Sequence, residues 1–325
     1  MTGPMNTRRT FMLVAALALS AVACSSSGGT ADAPTTPPSD RMQAMLASVD
    51  LYVNAPQRVG VGLPFGNGAL VSYGTVSFRF AYTGTASQTT APRPGPRATA
   101  TYIPVPGTPD GAGSPPTITQ PGEARGIYEA TGVTFDRTGI WTVDVTADIQ
   151  GSGPQTATAT FPVAELPALP APGQPALATE NLTIHSKGVP RAAIDSLATG
   201  GNPIPDPELH QWTIARAIQE HRPALVIFGT PAFCESRFCG PEVEVVQQLA
   251  KRYANRAVFI HIEIWRDFQN QVVNKAAADW LYRNGNLTDP WLYLIGADGT
   301  ILDRWSSLFS VPEVAAELQA LPVMK

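Results

Sequence analysis

The chain has 325 residues, with 22 Lys and Arg against 26 Asp and Glu and a formal net charge of −4. That length suits two domains, and 44% apolar residues is enough to build ordinary cores. No clustered basic stretch marks a nucleic-acid surface. Beyond the N-terminal segment no run reaches 18 consecutive apolar residues, which excludes a further helical membrane span.

In chain order, Arg8 and Arg9 precede the apolar run "FMLVAALALSAVA" (11–23), which is too short for a permanent span of about 20 residues. The pattern reads as a cleavable export signal over 1–23. "SAVAC" resembles the lipobox of bacterial lipoproteins, with Ala21 where Leu is commoner. The resemblance implies cleavage before Cys24, lipidation of its sulfur and an extracytoplasmic, membrane-anchored protein. "TRRTFML" also resembles a twin-arginine signal, so the export route stays open. Residues 24–44, with "SSSGGTADAPTTPPSD" (25–40), read as a flexible tether.

Residues 45–165 read as all-β. "GTVSFRFAYTG", "GIYEATGVTF", "GIWTVDVTADI" and "TATATFPV" are short, β-branched and aromatic, and alternate apolar with polar. Val76, Phe78 and Phe80 share one face, as do Trp141, Val143 and Val145. The expected architecture is an antiparallel sandwich. "VTFDRTGIWTVDVTADI" resembles a strand region of immunoglobulin-like domains; with no acid cluster, His group or catalytic motif in this half, a spacer or partner-binding module is the default expectation. "LPALPAPGQPALATE" (166–180) reads as a Pro/Ala-rich linker.

Residues 181–325 form the second unit. "DPELHQWTIARAIQEHRP" predicts a lead-in helix with Asp206 and Pro207 at its cap, placing His210 and His221 near its ends in surface roles. From Pro223 onward the predicted order is β-α-β-α-β-β-α. "ALVIF" (224–228) is a fully apolar strand, "PEVEVVQQLAKRYA" (241–254) an amphipathic helix, and "RAVFIHIEIW" (256–265) a second central strand carrying His261. A helix over 272–285, a hairpin turning at Asp298-Gly299 and a closing helix over 311–321 complete the pattern.

These motifs, together with "TPAFCESRFCGPE" (230–242) and "TDPWLYLIGADG", resemble the thioredoxin fold. More narrowly they resemble bacterial exported thioredoxin-domain proteins with a wide cysteine spacing. The resemblance implies an α/β thioredoxin-like domain after the β domain, with Pro290 as a cis-proline and Asp289 facing the cysteines in a substrate groove. It departs from the family pattern at the four-residue spacing between Cys234 and Cys239, and at Ile227, where the family carries a buried acid.

Physically, Cys239-Gly240-Pro241 marks a helix start, where the dipole favours a thiolate. With Cys24 lipidated, Cys234 and Cys239 remain as an even pair in an oxidising compartment. The implied activity is thiol–disulfide exchange on exported proteins with an unidentified redox partner, Cys239 attacking and Cys234 resolving, or the reverse. A non-catalytic scaffold in which the pair is a structural disulfide is the alternative. A Cu(I) chaperone fits less well, since the spacing differs and His261 reads as a hydrogen-bonded sheet residue. No metal set and no organic cofactor are assigned, because no Gly-rich phosphate loop follows either strand.

Overall fold

The computed structural model describes residues 41–324 apart from 235, 236 and 284. The export signal, most of the tether and Cys24 lie outside the described residues. Nine strands build the N-terminal half: β1 (Met45–Leu46), β2 (Gln57–Gly62), β3 (Leu70–Ser72), β4 (Thr75–Gly84), β5 (Thr89–Pro104), β6 (Thr117–Thr119), β7 (Gly126–Val133), β8 (Gly139–Ile149) and β9 (Gly153–Val163). Seven of them form one antiparallel sheet in the order β1-β2-β7-β5-β4-β8-β9, and β3 pairs with β6.

This is a correction to the sandwich and its immunoglobulin likeness: one sheet rolls toward closure where two facing sheets were expected. The backbone shows how the roll is nearly sealed. After β1 the chain passes beside the end of β9, where Val53 N–H donates to the Ala164 carbonyl and Ala164 N–H to the Leu51 carbonyl. Closing a sheet satisfies groups that open edges leave unpaired. Alternation along the strands turns Phe78 and Phe80 on β4, Trp141, Val143 and Val145 on β8, and Phe161 on β9 into a common interior. Phe135, just after β7, sits among them, with ring centroids 5.5 Å from Phe80, 5.0 Å from Trp141 and 5.7 Å from Phe161.

The C-terminal part contains α1 (Ile214–Gln219), β10 (Ala224–Gly229), α2 (Cys239–Tyr253), β11 (Val258–Glu263), β12 (Trp265–Asp267), β13 (Val272–Val273), α3 (Lys275–Leu281), β14 (Trp291–Ile295), β15 (Ile301–Ser306) and α4 (Val311–Ala320). Four strands form a mixed sheet, ordered β11-β10-β14-β15. β10 and β11 are parallel, and the other two pairings are antiparallel. Every residue of β10 is buried. Val226 and Phe228 face a layer holding Trp280 and Leu281 of α3, whereas Leu225 and Ile227 face Val246 and Leu249 of α2 and Leu318 of α4.

The expected fold class, a β-sandwich followed by an α/β thioredoxin-like domain, does not hold for this part either. The chain is mostly β, helices are few among the described residues, and α1 and α3 run for only 6 and 7 residues. No clear α/β thioredoxin fold results. The lead-in helix is also broken. A 3-10 turn over Pro207–His210 is followed by α1, which starts afresh because Thr213 accepts the Arg216 amide and Asn181 accepts that of Ile214.

The two sheets belong to one compact unit, Pro37–Lys325. Residues 166–180 run along the start of β15: Gly173 N–H donates to the Ile301 carbonyl and Ile301 N–H to that of Gln174. Arg304 of β15 reaches Asp50 at 2.8 Å, and Arg58 of β2 reaches Asp303 at 2.6 Å.

Candidate functional site

The C-terminal end of β10 leads into the loop 230–238 and then α2, so both cysteines stand at the edge of the mixed sheet. Cys234 and Cys239 form a disulfide with their Cα atoms 6.0 Å apart, inside the usual window for the bond. The two sulfurs differ in environment. Cys239, the first residue of α2, is fully buried, while Cys234 is partly exposed. The Cys239 backbone N–H donates to Cys234 Sγ at 3.3 Å, so the helix start offers its amide to the outer sulfur.

Asp289 and Pro290 approach from the loop before β14, and the peptide bond joining them is cis. Asp289 Oδ2 lies 3.1 Å from Cys239 Sγ, hydrogen-bond distance for a thiol donor in the reduced pair. Cys234, Cys239, Asp289 and Pro290 are thus brought together at one place. Arg237 is exposed. Glu242 points inward on the first turn of α2, with both carboxyl oxygens buried and making no hydrogen bond. Burial pushes its carboxyl well above the usual range, so it is a neutral acid lying toward Phe309 and Glu129.

A groove of about 710 Å³ opens beside the pair, with Thr230, Phe233, Trp265, Phe268, Asp289 and Pro290 among its lining residues. One wall is aromatic: Phe233 and Phe268 stack with centroids 3.9 Å apart, and Trp265 meets Phe268 edge-on at 5.4 Å. Phe268 remains 40% exposed. It is carried by the β12–β13 hairpin, which sequence reasoning ran together with the preceding strand and following helix. Trp265 and Phe268, close together in a polar stretch, were the available signal.

A second group of chemistry-bearing side chains was missed. His210, expected on the surface, is buried, and so is His261. Both face Asp195 and Asp206 at 3.3–3.6 Å. His261 keeps the hydrogen bond expected of a sheet residue, its Nε2 lying 3.2 Å from the Gly229 carbonyl, but its other nitrogen looks into the cluster. Burial alone would lower the imidazole of His261, yet the two carboxylates push it up to about 10. Burial likewise opposes ionisation of Asp195 and Asp206, and the two imidazoles hold both carboxyls below their usual range. Asp206 caps nothing with its side chain. His221 is exposed, with Nδ1 3.2 Å from the Ala297 carbonyl.

The chain matches no protein-family model and no curated protein. What the arrangement can do chemically therefore rests on its own groups: a disulfide with one partly exposed cysteine, a carboxylate beside the other, and an open groove with one aromatic wall.

Proposed function

We propose that the protein is an exported, lipid-tethered thiol–disulfide exchange protein acting on the cysteines of other exported proteins. The observation that carries this reading is the asymmetry of the pair. Cys234 is partly exposed and its Sγ accepts the first amide of α2, an arrangement that favours a thiolate there. Cys239 is buried with the Asp289 carboxylate 3.1 Å away, which disfavours a second negative charge on its sulfur.

In the oxidised form a substrate thiolate attacks Cys234 Sγ. The Cys234–Cys239 bond breaks, its electron pair goes to Cys239 Sγ, and that sulfur takes up from solvent the proton the substrate thiol released, then donates it as a hydrogen bond to the Asp289 carboxylate. A second substrate thiolate then attacks the substrate sulfur of the mixed disulfide and releases Cys234 as a thiolate. The substrate dithiol ends as a disulfide and the protein pair as a dithiol; run backwards, the same steps reduce a substrate. This order makes Cys234 the sulfur that meets substrate and Cys239 the resolving one. The aromatic groove suits an extended apolar segment flanking the substrate cysteine. Tethering through Cys24 rests on the lipobox resemblance. Among the described residues no helix is long and apolar enough to cross a membrane.

The burial of Cys239 supports a second reading, a structural staple worth about 2 kcal/mol for so short a loop in the chain-entropy model. A redox titration followed by mass spectrometry separates the two. Exchange predicts a potential between about −270 and −120 mV, and a mixed disulfide on Cys234 that accumulates in Cys239→Ser and is absent in Cys234→Ser. A potential below about −300 mV with no trapped species identifies a staple. A copper role is disfavoured, because His261 is held by Gly229 on one side and the Asp195–Asp206 cluster on the other.

A further inference from the structure

Four side chains from three separate stretches of chain converge in a buried cluster on β11. Asp195 comes from the loop ahead of a 3-10 turn, Asp206 and His210 from the Pro207–His210 turn and the residue before it, and His261 from the strand itself. Asp195, His210 and His261 are 0% exposed, and Asp206 is 4% exposed. One ligand-type atom from each residue can be chosen so that all four lie within 4.8 Å of one another.

The contacts are His210 Nε2 to Asp206 Oδ1 at 3.3 Å and to Asp195 Oδ2 at 3.6 Å, with His261 Nδ1 to Asp195 Oδ2 at 3.5 Å and to Asp206 Oδ2 at 3.6 Å. These are long for charge-assisted hydrogen bonds, which run at about 2.7–2.9 Å. Asp195 Oδ2, both carboxyl oxygens of Asp206, both ring nitrogens of His210 and Nδ1 of His261 in fact make no directed hydrogen bond. Buried polar atoms are seldom left so in a native protein, and a group of them facing one another calls for a missing partner.

The geometry points to a divalent zinc ion held by Asp195, Asp206, His210 and His261. Zinc bonds to nitrogen and oxygen of about 2.0–2.2 Å place the corners of a tetrahedron about 3.3–3.6 Å apart, the range of the carboxylate–imidazole separations here, with Asp206 turning one oxygen to each ring. Ligation displaces the protons that the carboxylates hold on the imidazoles, and the two carboxylates and two neutral imidazoles then carry a charge of −2, which a divalent ion cancels in a buried site. Two of the four donors, His261 and Asp195, are oriented by neighbouring groups. His261 Nε2–H donates to the Gly229 carbonyl at 3.2 Å, leaving the Nδ1 lone pair turned inward. Asp195 Oδ1 accepts the Leu197 amide at 2.7 Å, leaving Oδ2 to the pocket. Calcium would need six or more oxygens, magnesium an octahedron with retained waters, and Cu(I) soft sulfur donors.

Four protein donors leave no open position, so the ion acts structurally. It fastens two irregular stretches to β11 beneath the cysteine loop. Ser196, next to Asp195, accepts the Ala232 amide at 3.0 Å and donates its own amide to Glu263 at 2.8 Å.

The inference is independent of the redox reading and is tested without it. The untagged full chain, with the disulfide intact, is stripped with a chelator, exposed to Zn²⁺ or Co²⁺ and analysed for bound metal. One zinc per chain is expected. Co²⁺ should give the intense visible bands of a tetrahedral nitrogen–oxygen site with no sulfur charge-transfer band, and chelation should lower the melting temperature. Occupancy should fall at least tenfold in Asp206→Asn and His210→Gln and be unchanged in a Cys234→Ser/Cys239→Ser variant. Wild-type protein that stays folded and takes up no ion overturns the site. So does binding that survives in Asp206→Asn and disappears with the cysteines. One equivalent of iron or manganese overturns the choice of zinc.

Discussion

Glu129, at the middle of β7, shows how much one buried acid can govern here. It is 7% exposed and lies near Arg58, Asp303 and Glu313 where the two sheets meet. Burial is the largest influence and raises its carboxyl; Arg58 pulls it down, the two acids push it up, and the result is about 8. An acid raised in the folded state keeps its proton while the unfolded chain has lost it. Stability from this group is therefore greatest below about pH 4.5 and declines as pH climbs toward 8, by at most about 1.4 kcal/mol per pH unit. Glu129→Gln keeps the shape and cannot ionise. In urea unfolding the variant should gain on wild type by on the order of 4 kcal/mol between pH 5 and pH 9. Parallel pH profiles for the two proteins would show that Glu129 does not carry this dependence.

Single elements differ in how openly their sequence declares them. The apolar run Ala224–Phe228, the amphipathic spacing from Val243 to Tyr253 and the Asp298-Gly299 turn are local patterns, and the structure has β10, α2 and the β14–β15 hairpin at those places. The sequence motif Cys-Gly-Pro marks a helix start, and α2 begins at Cys239. Whether seven strands form two facing sheets or one rolled sheet depends on pairings far apart in sequence, such as Gln57 with Val133 and Ser77 with Thr146. Alternation within a strand is the same in both arrangements. The Asp195–Asp206–His210–His261 cluster was illegible for the same reason. His261 lies 51 residues beyond His210, and nothing local announces that the lead-in segment breaks and folds onto β11.

Phe135 illustrates a further gap between pattern and packing. It follows β7 outside any strand, yet its ring is a common neighbour of Phe80, Trp141 and Phe161. Phe135→Ala leaves a void between strands that cannot all close on it, with an expected loss of about 3–5 kcal/mol. Phe135→Leu should cost much less because most of the volume is kept. Denaturant midpoints for the two variants check the difference. A loss under about 1 kcal/mol for the alanine variant would mean the roll can collapse around the missing ring.

At the scale of the whole molecule the question is whether two sheets with separate cores unfold as one. The contact between them is anchored by Arg304, whose side chain is 8% exposed and paired with an Asp50 that is 6% exposed. The same guanidinium donates to the Pro170 carbonyl at 2.9 Å, so strand β15, the chain after β1 and the connecting segment 166–180 converge on one cation. Asp50 in turn accepts the Ala168 amide at 2.6 Å. Removing the arginine strands a buried carboxylate and frees the connection at once. Losing one partner of such a buried pair costs about 3–5 kcal/mol, far more than an exposed pair would. Wild type should therefore melt in a single calorimetric transition, whereas Arg304→Ala should melt earlier and in two steps, with faster proteolysis within 166–180. Two transitions in wild type, or an unchanged single one in the variant, would place the coupling elsewhere. The other links between the two parts are the Arg58 pair with Asp303 and Glu313 and the apolar contact of Ile103, Val105 and Ile127 with Leu308, which Arg58→Ala and Leu308→Ala probe in the same experiment.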